Sequence, residues 1–345
     1  MKKLWWLFAI VGIIPLVAAS CAGPAAKLPA DTVGAVKTTT PPKIDGTVDS
    51  AWSKAKPISI NVSGGVNLKG GATTVELRAF YTSDSVYFLA QWADETETTR
   101  RSPWQKQADG TWKQLKDPND KGSDNNLYYE DKLAFIWNVN NSISGFNEQG
   151  CMVTCHAGET GKPYGNKYTT NAGEVGDIWH WKSVRTGPVG QIDDQYLDST
   201  RYDAKASPEA GRKSDPKTGG GYADNKSEDG KLPKWALPNN KPAPPYWITD
   251  SEKVAFDSSK YTTNNEVPGI VIAPIAGDRG DISAKSSWKD GKYTLEWTRK
   301  LNTGSQYDVQ YTDLNKTYAF GVAVFENAQV RHAFHGGALK LVFLK

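Results

Sequence analysis

Thr74-Val-Glu-Leu-Arg-Ala-Phe-Tyr81 and Ser85-Val-Tyr-Phe-Leu-Ala-Gln-Trp92 are the two stretches that decide the fold. In both, polar and apolar side chains alternate with a period of two, the pattern of a strand with one buried face. They are joined around Ser83-Asp84, a pair that favours a turn. The sequence therefore predicts two paired antiparallel strands here.

The same pattern recurs on either side of this hairpin. Residues 132–139 alternate in the same way, and residues 287–297 contain an Asp290-Gly291 turn flanked by aromatic and branched side chains. Residues 318–325 and 338–344 predict two further strands, and no long helical period is present. The expected fold class is all-β, an antiparallel β-sandwich.

The middle of the chain, from about residue 157 to 268, differs from these strands. It has few apolar runs and is rich in Gly, Pro, Asp and Lys. Predicted strands flank it on both sides, so we expect a long irregular loop insertion within one domain spanning residues 43–345.

Charge and cysteine content exclude some classes of protein. The 345 residues carry 41 Lys or Arg against 38 Asp or Glu, and this near balance argues against a nucleic-acid partner. Three cysteines are too few for a disulfide framework. The length is sufficient to bury a large core without one.

The N-terminus has the three parts of a secretory signal over residues 1–20. Lys2 and Lys3 precede an apolar run over residues 4–19, which is shorter than the roughly 20 residues needed to span a bilayer. Cys21 follows small residues, as in a bacterial lipoprotein signal, and is the expected lipidation site; ordinary cleavage near Ala19 is the alternative. Residues 21–42 are expected to form a flexible tether, placing an exported protein in the periplasm or at the cell surface.

Gly150-Cys-Met-Val-Thr-Cys-His-Ala-Gly158 is the sharpest chemical signal in the chain. Two thiols followed by an imidazole are what covalent haem attachment needs, since each thiol adds to a vinyl group and the histidine reaches the iron. We therefore predict one haem c, bound through Cys151 and Cys155 with His156 as the proximal iron ligand. Three residues rather than the usual two separate the cysteines. A Cys151–Cys155 disulfide and a metal or redox thiol site are the alternatives.

Several segments together resemble the ethylbenzene-dehydrogenase-type haem-binding family. They are Lys43-Ile-Asp-Gly-Thr-Val-Asp-Ser-Ala-Trp52, the hairpin over residues 75–92, Glu130-Asp-Lys-Leu-Ala-Phe-Ile-Trp137 and the Cys-His motif. The opening third is also similar to family 9 carbohydrate-binding modules. In the family, γ-subunits of periplasmic molybdenum enzymes hold a b-type haem, and other members carry a Cys-His attachment motif. The resemblance implies a β-sandwich that binds one haem and passes single electrons.

A second, distal ligand is expected because six-coordinate iron suits electron transfer. Related sandwich cytochromes draw this ligand from the C-terminal end of the fold, where Arg331-His-Ala-Phe-His335-Gly-Gly lies. His332 is the first candidate, and His335 and His180 are the alternatives.

His180 lies in Asp177-Ile-Trp-His-Trp-Lys-Ser-Val-Arg185, a stretch that the resemblance also covers. Trp179 and Trp181 are expected to stack on the macrocycle. Lys182 and Arg185 are expected to pair with the haem propionates, since both carry cations suited to carboxylates. Part of the haem pocket would then come from the loop-rich insertion.

Two weaker patterns concern ions and rings. Gly187-Pro-Val-Gly-Gln-Ile-Asp-Asp194 offers oxygen ligands for a calcium ion, with a solvated acidic turn as the alternative. A second pattern concerns tryptophans, of which the chain has 13. Some are expected in the core and others on an exposed sugar-binding surface. The core set is Trp52, Trp92 and Trp137, and the exposed set is Trp104 and Trp112.

The function predicted from the sequence is that of an exported, lipid-anchored monohaem c-type cytochrome. It would carry electrons between a redox enzyme and another carrier at the cell envelope, without being a catalyst itself. One alternative is a haem-bearing γ-like subunit of a molybdenum oxidoreductase complex. The other is a haem-free carbohydrate-binding or sensory sandwich.

Overall fold

The computed structural model describes Met1 and residues 28–120, 122–157 and 167–345. The predicted signal sequence beyond Met1 and the candidate lipidation site Cys21 lie outside the described residues. The strands are β1 Thr32–Lys37, β2 Ile58–Ser63, β3 Ala72–Tyr81, β4 Ser85–Ala93, β5 Trp104–Lys106, β6 Trp112–Gln114, β7 Lys132–Asn138, β8 Gly176–Lys182, β9 Asp193–Leu197, β10 Arg212–Ser214, β11 Gly219–Asp224, β12 Trp235–Ala236, β13 Ile248–Thr249, β14 Val254–Ala255, β15 Glu266–Val267, β16 Ile270–Ala276, β17 Ser283–Lys289, β18 Lys292–Lys300, β19 Tyr318–Phe325, β20 Ala333–Phe334 and β21 Leu339–Leu344.

Helical structure in these ranges is short. One α-helical turn, α1, spans Phe146–Gln149. The 3₁₀ turns are Ser50–Lys54, Lys69–Gly71, Val139–Asn141, Gly150–Val153, Gly187–Val189, Pro238–Asn240, Ser258–Lys260 and Asp278–Gly280. No helix in the described part of the chain is long and apolar enough to cross a membrane.

Two layers of strands pack face to face as a β-sandwich, which confirms the predicted fold class. One layer has the order β10-β9-β8-β7-β19 and the other β2-β3-β4-β18-β17, and hydrogen bonds link them into one 13-stranded sheet. Aromatic rings fill the space between the layers. Phe88 on β4 stacks on Trp297 at 5.1 Å between ring centroids and meets Trp179 of the opposite layer at 5.8 Å.

The two layers are joined at their shared edge by four strands. One edge of β19 pairs with β21 through its first half and with β20 through its second half. β3 likewise pairs with β2 and with β1. β20 pairs with β2 and β21 pairs with β1, so both ends of this edge are closed by backbone hydrogen bonds.

The strands predicted from alternation are confirmed, with ends that shift by a few residues. β3 and β4 pair antiparallel from Val75 opposite Trp92 to Tyr81 opposite Val86. Asp290 and Gly291 have φ angles of 52° and 73° between β17 and β18. Positive φ at both central residues is the requirement of a type I′ hairpin turn, and an Asp-Gly pair accepts it readily.

The predicted flexible tether over residues 21–42 is wrong for part of its length. Thr32–Lys37 forms β1, which runs parallel to both β21 and β3. Val33 and Ala35 are fully buried. The folded domain therefore begins at β1 rather than at residue 43. A short run of small apolar residues has the composition of a linker, but here it closes the edge of the sandwich.

The predicted irregular insertion over residues 157–268 is also too long. β8, β9 and β10 belong to the main sheet. All seven residues of β8 are buried, including polar ones, so it lacks the alternation that marks a half-exposed strand. Only the segment after β10 forms small separate sheets, of which β11-β16-β13 is one.

The tryptophan predictions have opposite outcomes. Trp52, Trp92 and Trp137 are in the core, as expected, with at most 1% of their surface exposed. The prediction that Trp104 and Trp112 are exposed is wrong, since they are 3% and 8% exposed and pack with Tyr261 and Val267. They form a small core under the insertion, so neither offers an exposed platform for a sugar ring.

Candidate functional site

An apolar cleft lies on the outer face of the layer that contains β7, β8 and β19. Successive residues of a strand point to opposite faces, and directly opposed residues share a face. Ala134 lies opposite both His180 and Ala323, and Ile136 lies opposite both Ile178 and Gly321. These six residues form the floor of a cleft that opens to solvent. Ala134 and Ala323 have small side chains, so this part of the floor leaves room for an apolar group.

The Cys-His motif forms one wall of this cleft through a tight turn. The carbonyl of Cys151 accepts hydrogen bonds from the amides of Thr154 (3.2 Å) and His156 (3.0 Å). The turn accommodates the additional residue between the cysteines. Cys151, Cys155 and His156 all line the cleft, as predicted from the sequence.

Two glycines make room for the motif. A Cβ at Gly321 on β19 would collide with the sulfur of Cys151. Gly150 has a φ of 57°, and a Cβ there would lie 2.5 Å from the carbonyl oxygen of Gly337. The motif therefore approaches the sheet and the loop around Gly337 closely because Gly150 and Gly321 have no side chain.

Both thiols of the motif are free and protonated. Burial raises the pKa of Cys151 and of Cys155 above the ordinary thiol value. Thr154 donates its hydroxyl to the sulfur of Cys155 at 3.7 Å. A thiolate is the form that ligates metals and exchanges disulfides, so these surroundings do not favour the metal or redox thiol alternative.

His332 faces His156 across the cleft. Their Nε2 atoms are 3.4 Å apart, and the ring of His156 stacks on Phe334 with centroids 3.9 Å apart. The Nδ1–H of His332 donates to the carbonyl of Val330 at 2.8 Å, which leaves its Nε2 as the atom with a lone pair. Of the three candidates for the distal ligand, His332 was the first choice from the sequence, and its ring nitrogen lies next to that of His156.

Both imidazoles are neutral at ordinary pH. Burial lowers the pKa of His156, and burial together with the neighbouring His156 lowers the pKa of His332 to about 3. The neutral ring is the form that binds a metal ion, so neither histidine has to lose a proton first.

The two alternative histidines differ in position. His180 on β8 lines the cleft and is 6% exposed, with Nδ1 at 3.3 Å from Gln195 Oε1. Its Nε2 has no hydrogen-bond partner among the described residues. His335 is not part of the cleft lining, and its Nδ1–H donates to the carbonyl of Asn61 at 3.0 Å.

Trp179 and Trp181 do not face the cleft, contrary to the sequence-based expectation. Both point to the inner side of β8 and are buried in the core, where Trp179 contacts Trp137 at 4.8 Å between ring centroids. The alternation of β8 explains the error, because a strand that presents His180 outward must turn its neighbours inward.

Lys182 and Arg185 are also engaged elsewhere. Lys182 forms a buried ion pair with Asp193, and Arg185 forms one with Glu130. Neither residue lines the cleft. Both cations are held in buried ion pairs away from the cleft lining, so neither is available for an acidic group of a ligand.

Lys167 and Arg212 are the cations that do line the cleft, and the sequence reasoning missed both. Each pairs with Glu209, at 2.6 Å and 2.8 Å respectively. The Nε of Arg212 is buried and has no acceptor within the described ranges. No motif marks these residues; the pairing of β10 with β9 brings Arg212 here.

This donor set fits a haem. His156 and His332 would hold the iron through their Nε2 atoms, which lie 3.4 Å apart. Two thiols, an apolar floor and two cations at the same cleft match the vinyl groups, the ring and the propionates of that cofactor.

The carboxylates of the predicted calcium loop do not share one site. Asp193 pairs with Lys182 and with Arg279, so its charge is already compensated. Asp194, the next residue, lies opposite Trp179 and therefore points to the inner face of the sheet. The loop by itself is not a calcium site.

Fold and cleft together define a class of protein: a β-sandwich with a thiol- and imidazole-lined cleft on the outer face of one layer. The chain belongs to the ethylbenzene dehydrogenase family, whose sequence profile matches residues 49–337.

Comparison with solved structures finds proteins that are described as carbohydrate-binding. A carbohydrate binding module family 9 from Caldicellulosiruptor kristjanssonii in complex with cellotriose is 10% identical, with 90% of this chain and 93% of that chain covered and a TM-score of 0.34. A putative carbohydrate-binding protein from Bacteroides uniformis ATCC 8492 is 9% identical, with 91% and 90% covered and a TM-score of 0.34. Among curated proteins, none matches the chain. At this level of similarity no ligand is transferred to this chain.

Proposed function

We propose that this protein is an exported c-type cytochrome that binds one haem covalently through Cys151 and Cys155, with His156 and His332 as axial ligands. The observation that carries the proposal is the meeting of the two Nε2 atoms at 3.4 Å in an apolar cleft that both cysteines line. When bound, the haem supplies one-electron oxidation and reduction.

The residues around the cleft favour electron transfer over catalysis. Two imidazole ligands leave no open coordination position for a substrate. The apolar floor keeps water from the ring, and Lys167 and Arg212 compensate acidic groups at the mouth. The protein is therefore an electron carrier in this proposal, and its partners are a redox enzyme and a second carrier.

The N-terminal sequence supports a location at the cell envelope. A secretory signal over residues 1–20 directs the chain to the compartment where c-type haem is attached, and Cys21 would anchor it to a membrane through lipid.

Family membership favours a second candidate function. As a member of the ethylbenzene dehydrogenase family, the chain would act as the haem-bearing, γ-like subunit of a molybdenum oxidoreductase complex. Purification of the tagged protein from its native envelope separates the two functions. A stoichiometric molybdenum-containing partner supports the subunit, and a haem protein isolated alone supports the carrier.

Haem staining of the denatured protein tests the covalent attachment. The full chain is expressed with the haem-attachment machinery as wild type, as Cys151→Ser, as Cys155→Ser and as the double variant. Met152→Ser is the matched control, since Met152 lies between the cysteines but is 39% exposed. We expect staining in wild type and Met152→Ser and none in the double variant. A colourless wild type, or a double variant that stains at full strength, would contradict the proposal.

A further inference from the structure

Three buried carboxylates meet on the inner side of the layer, on the face opposite to the cleft. Asp177 lies on β8, Asp194 on β9 and Asp308 between β18 and β19. One carboxylate oxygen from each lies within 4.8 Å of the others, and no side chain is more than 1% exposed. Because like charges repel strongly away from water, such a group needs compensation.

The protein supplies only part of that compensation. Arg299 donates to Asp177 Oδ2 at 2.9 Å, and Thr303 donates to Asp308 Oδ2 at 2.6 Å. The remaining oxygens are Oδ1 of Asp177, Oδ1 of Asp308 and both oxygens of Asp194. Within the part of the chain that the structure describes, these four buried atoms accept no hydrogen bond from an amide, a hydroxyl or a cation, and their neighbours are the other carboxyl groups of the cluster.

Two further carboxylates extend the cluster. Asp215 follows β10 and is 3% exposed, and its amide donates to the carbonyl of Asp194 at 3.2 Å. Neither of its carboxylate oxygens has a donor among the described residues. Asp281 is half-buried and also has a buried oxygen without a donor there. The only cation that pairs with this cluster among the described residues is Arg299, which contacts Asp177 and Asp308.

The neighbouring Asp193 shows how this chain treats a carboxylate that it neutralises itself. Asp193 is as fully buried as Asp194, but it pairs with both Lys182 and Arg279. Asp193 alone has two cations, whereas the three carboxylates of the inner cluster share one, Arg299.

We propose that Asp177, Asp194, Asp215 and Asp308 bind one calcium ion. Together they offer six unpaired oxygens: one each from Asp177 and Asp308, and two each from Asp194 and Asp215. Calcium takes six to eight oxygen ligands in flexible geometry, whereas magnesium keeps several waters and rarely occupies an all-protein cage.

The ion would join four separate parts of the chain: β8, β9, the segment after β10 and the segment before β19. It would therefore fix β8 and the edge strand β10, which carry His180 and Arg212 on their other side. The site is distinct from the haem cleft, so its role is structural and independent of the proposed electron transfer.

Calorimetry and thermal unfolding of the full, haem-loaded chain test the site. The protein is stripped with a calcium chelator and titrated with calcium or with magnesium. We expect one calcium per chain and a melting temperature raised by roughly 5 °C at a hundredfold excess over Kd. The absence of both heat and a melting shift would overturn the proposal, and an equal response to magnesium would overturn the choice of calcium.

Asp194→Asn and Asp193→Asn form a matched pair. In chelator, Asp194→Asn is expected to melt no lower than wild type, because it removes repulsion, and to lose the response to calcium. Asp193→Asn is expected to melt lower in both conditions while keeping that response. Equal destabilisation by Asp194→Asn with and without calcium would indicate an ordinary structural carboxylate and overturn the proposal. If Asp194→Asn fails to fold, Asp215→Asn is measured in the same way.

Discussion

The two faces of β8 carry two candidate sites of opposite chemistry. On the outer face, Ile178 and His180 belong to a cleft of neutral imidazoles, thiols and apolar side chains. On the inner face, Asp177 belongs to a cluster of carboxylates that outnumber the cations paired with them. Trp179, the next residue of β8 that points inward, is buried in the core.

The difference concerns how each site is assembled. One wall of the cleft comes from a single continuous motif, Cys151 to His156. Cys151, Cys155 and His156 can therefore be recognised from their spacing alone. The carboxylates come from four or five distant segments that only the folded sheet brings together. A site formed by one continuous motif can be recognised in the sequence. A site assembled from distant strands depends on how those strands pair, which the sequence does not show directly.

The largest expected effect comes from truncating the inner face of β8. Trp179→Ala should lower the free energy of unfolding by about 3–5 kcal/mol, because a fully buried indole is replaced by a cavity. His180→Ala on the outer face should cost only about 1 kcal/mol, since its Nε2 makes no hydrogen bond among the described residues. Urea denaturation of both variants measures the contrast.

Haem content provides the control for this pair. If Trp179 stacked on the macrocycle, as the sequence suggested, its truncation would alter the absorption spectrum with little loss of stability. That outcome would break the assignment of Trp179 to the core. We expect instead that the folded Trp179→Ala protein keeps the wild-type spectrum.

The sequence predicted the sandwich well because alternation in β3, β4, β7 and β19 follows directly from one buried face. It did not predict β8 as a core strand, since Asp177, His180 and Lys182 give a buried strand a polar appearance. In the same way, Lys182 was assigned to a ligand although its ion pair with Asp193 forms only when β8 and β9 come together. The Cys-His motif was sufficient to predict where the cleft lies. Which cations line it depends on the pairing of β8, β9 and β10, which the sequence did not show.

A smaller effect in free energy, but a clear one in the spectrum, is expected on the outer side of the cleft. His332→Ala removes the imidazole whose Nε2 meets that of His156, so a low-spin spectrum should become high-spin. His335→Ala should leave the spectrum unchanged, because His335 lies outside the cleft lining. Absorption spectra of the two purified proteins make the measurement.

The reverse pattern would contradict the ligand assignment. A low-spin spectrum retained in His332→Ala would pass the distal role to His180, which lines the same cleft. The double variant His180→Ala, His332→Ala would then have to be high-spin.

The last comparison concerns a second carboxylate cluster, in which we expect a proton rather than a cation to compensate the charge. Asp94, Asp131 and Glu326 lie within 4.8 Å of one another, but Asp131 accepts from Tyr293 at 2.8 Å and Glu326 accepts from Thr96 at 2.7 Å. Burial, and then the nearby Glu326, raises the pKa of Asp94 to about 10.

A carboxyl whose pKa is raised by folding contributes stability below its unfolded pKa of about 3.9, and this contribution is lost as the pH rises towards 10. The free energy of unfolding of wild type should therefore fall between pH 6 and 9, by on the order of 1 kcal/mol per pH unit from this group. Asp94→Asn holds no such proton, so its profile should be flatter. The denaturation is measured in saturating calcium, so that the charge of the inner cluster stays compensated at every pH. The remaining pH dependence then reports on Asp94. Parallel profiles for wild type and Asp94→Asn would mean that Asp94 is ionised in the folded protein, and the contrast between a protonated and a cation-binding cluster would then fail.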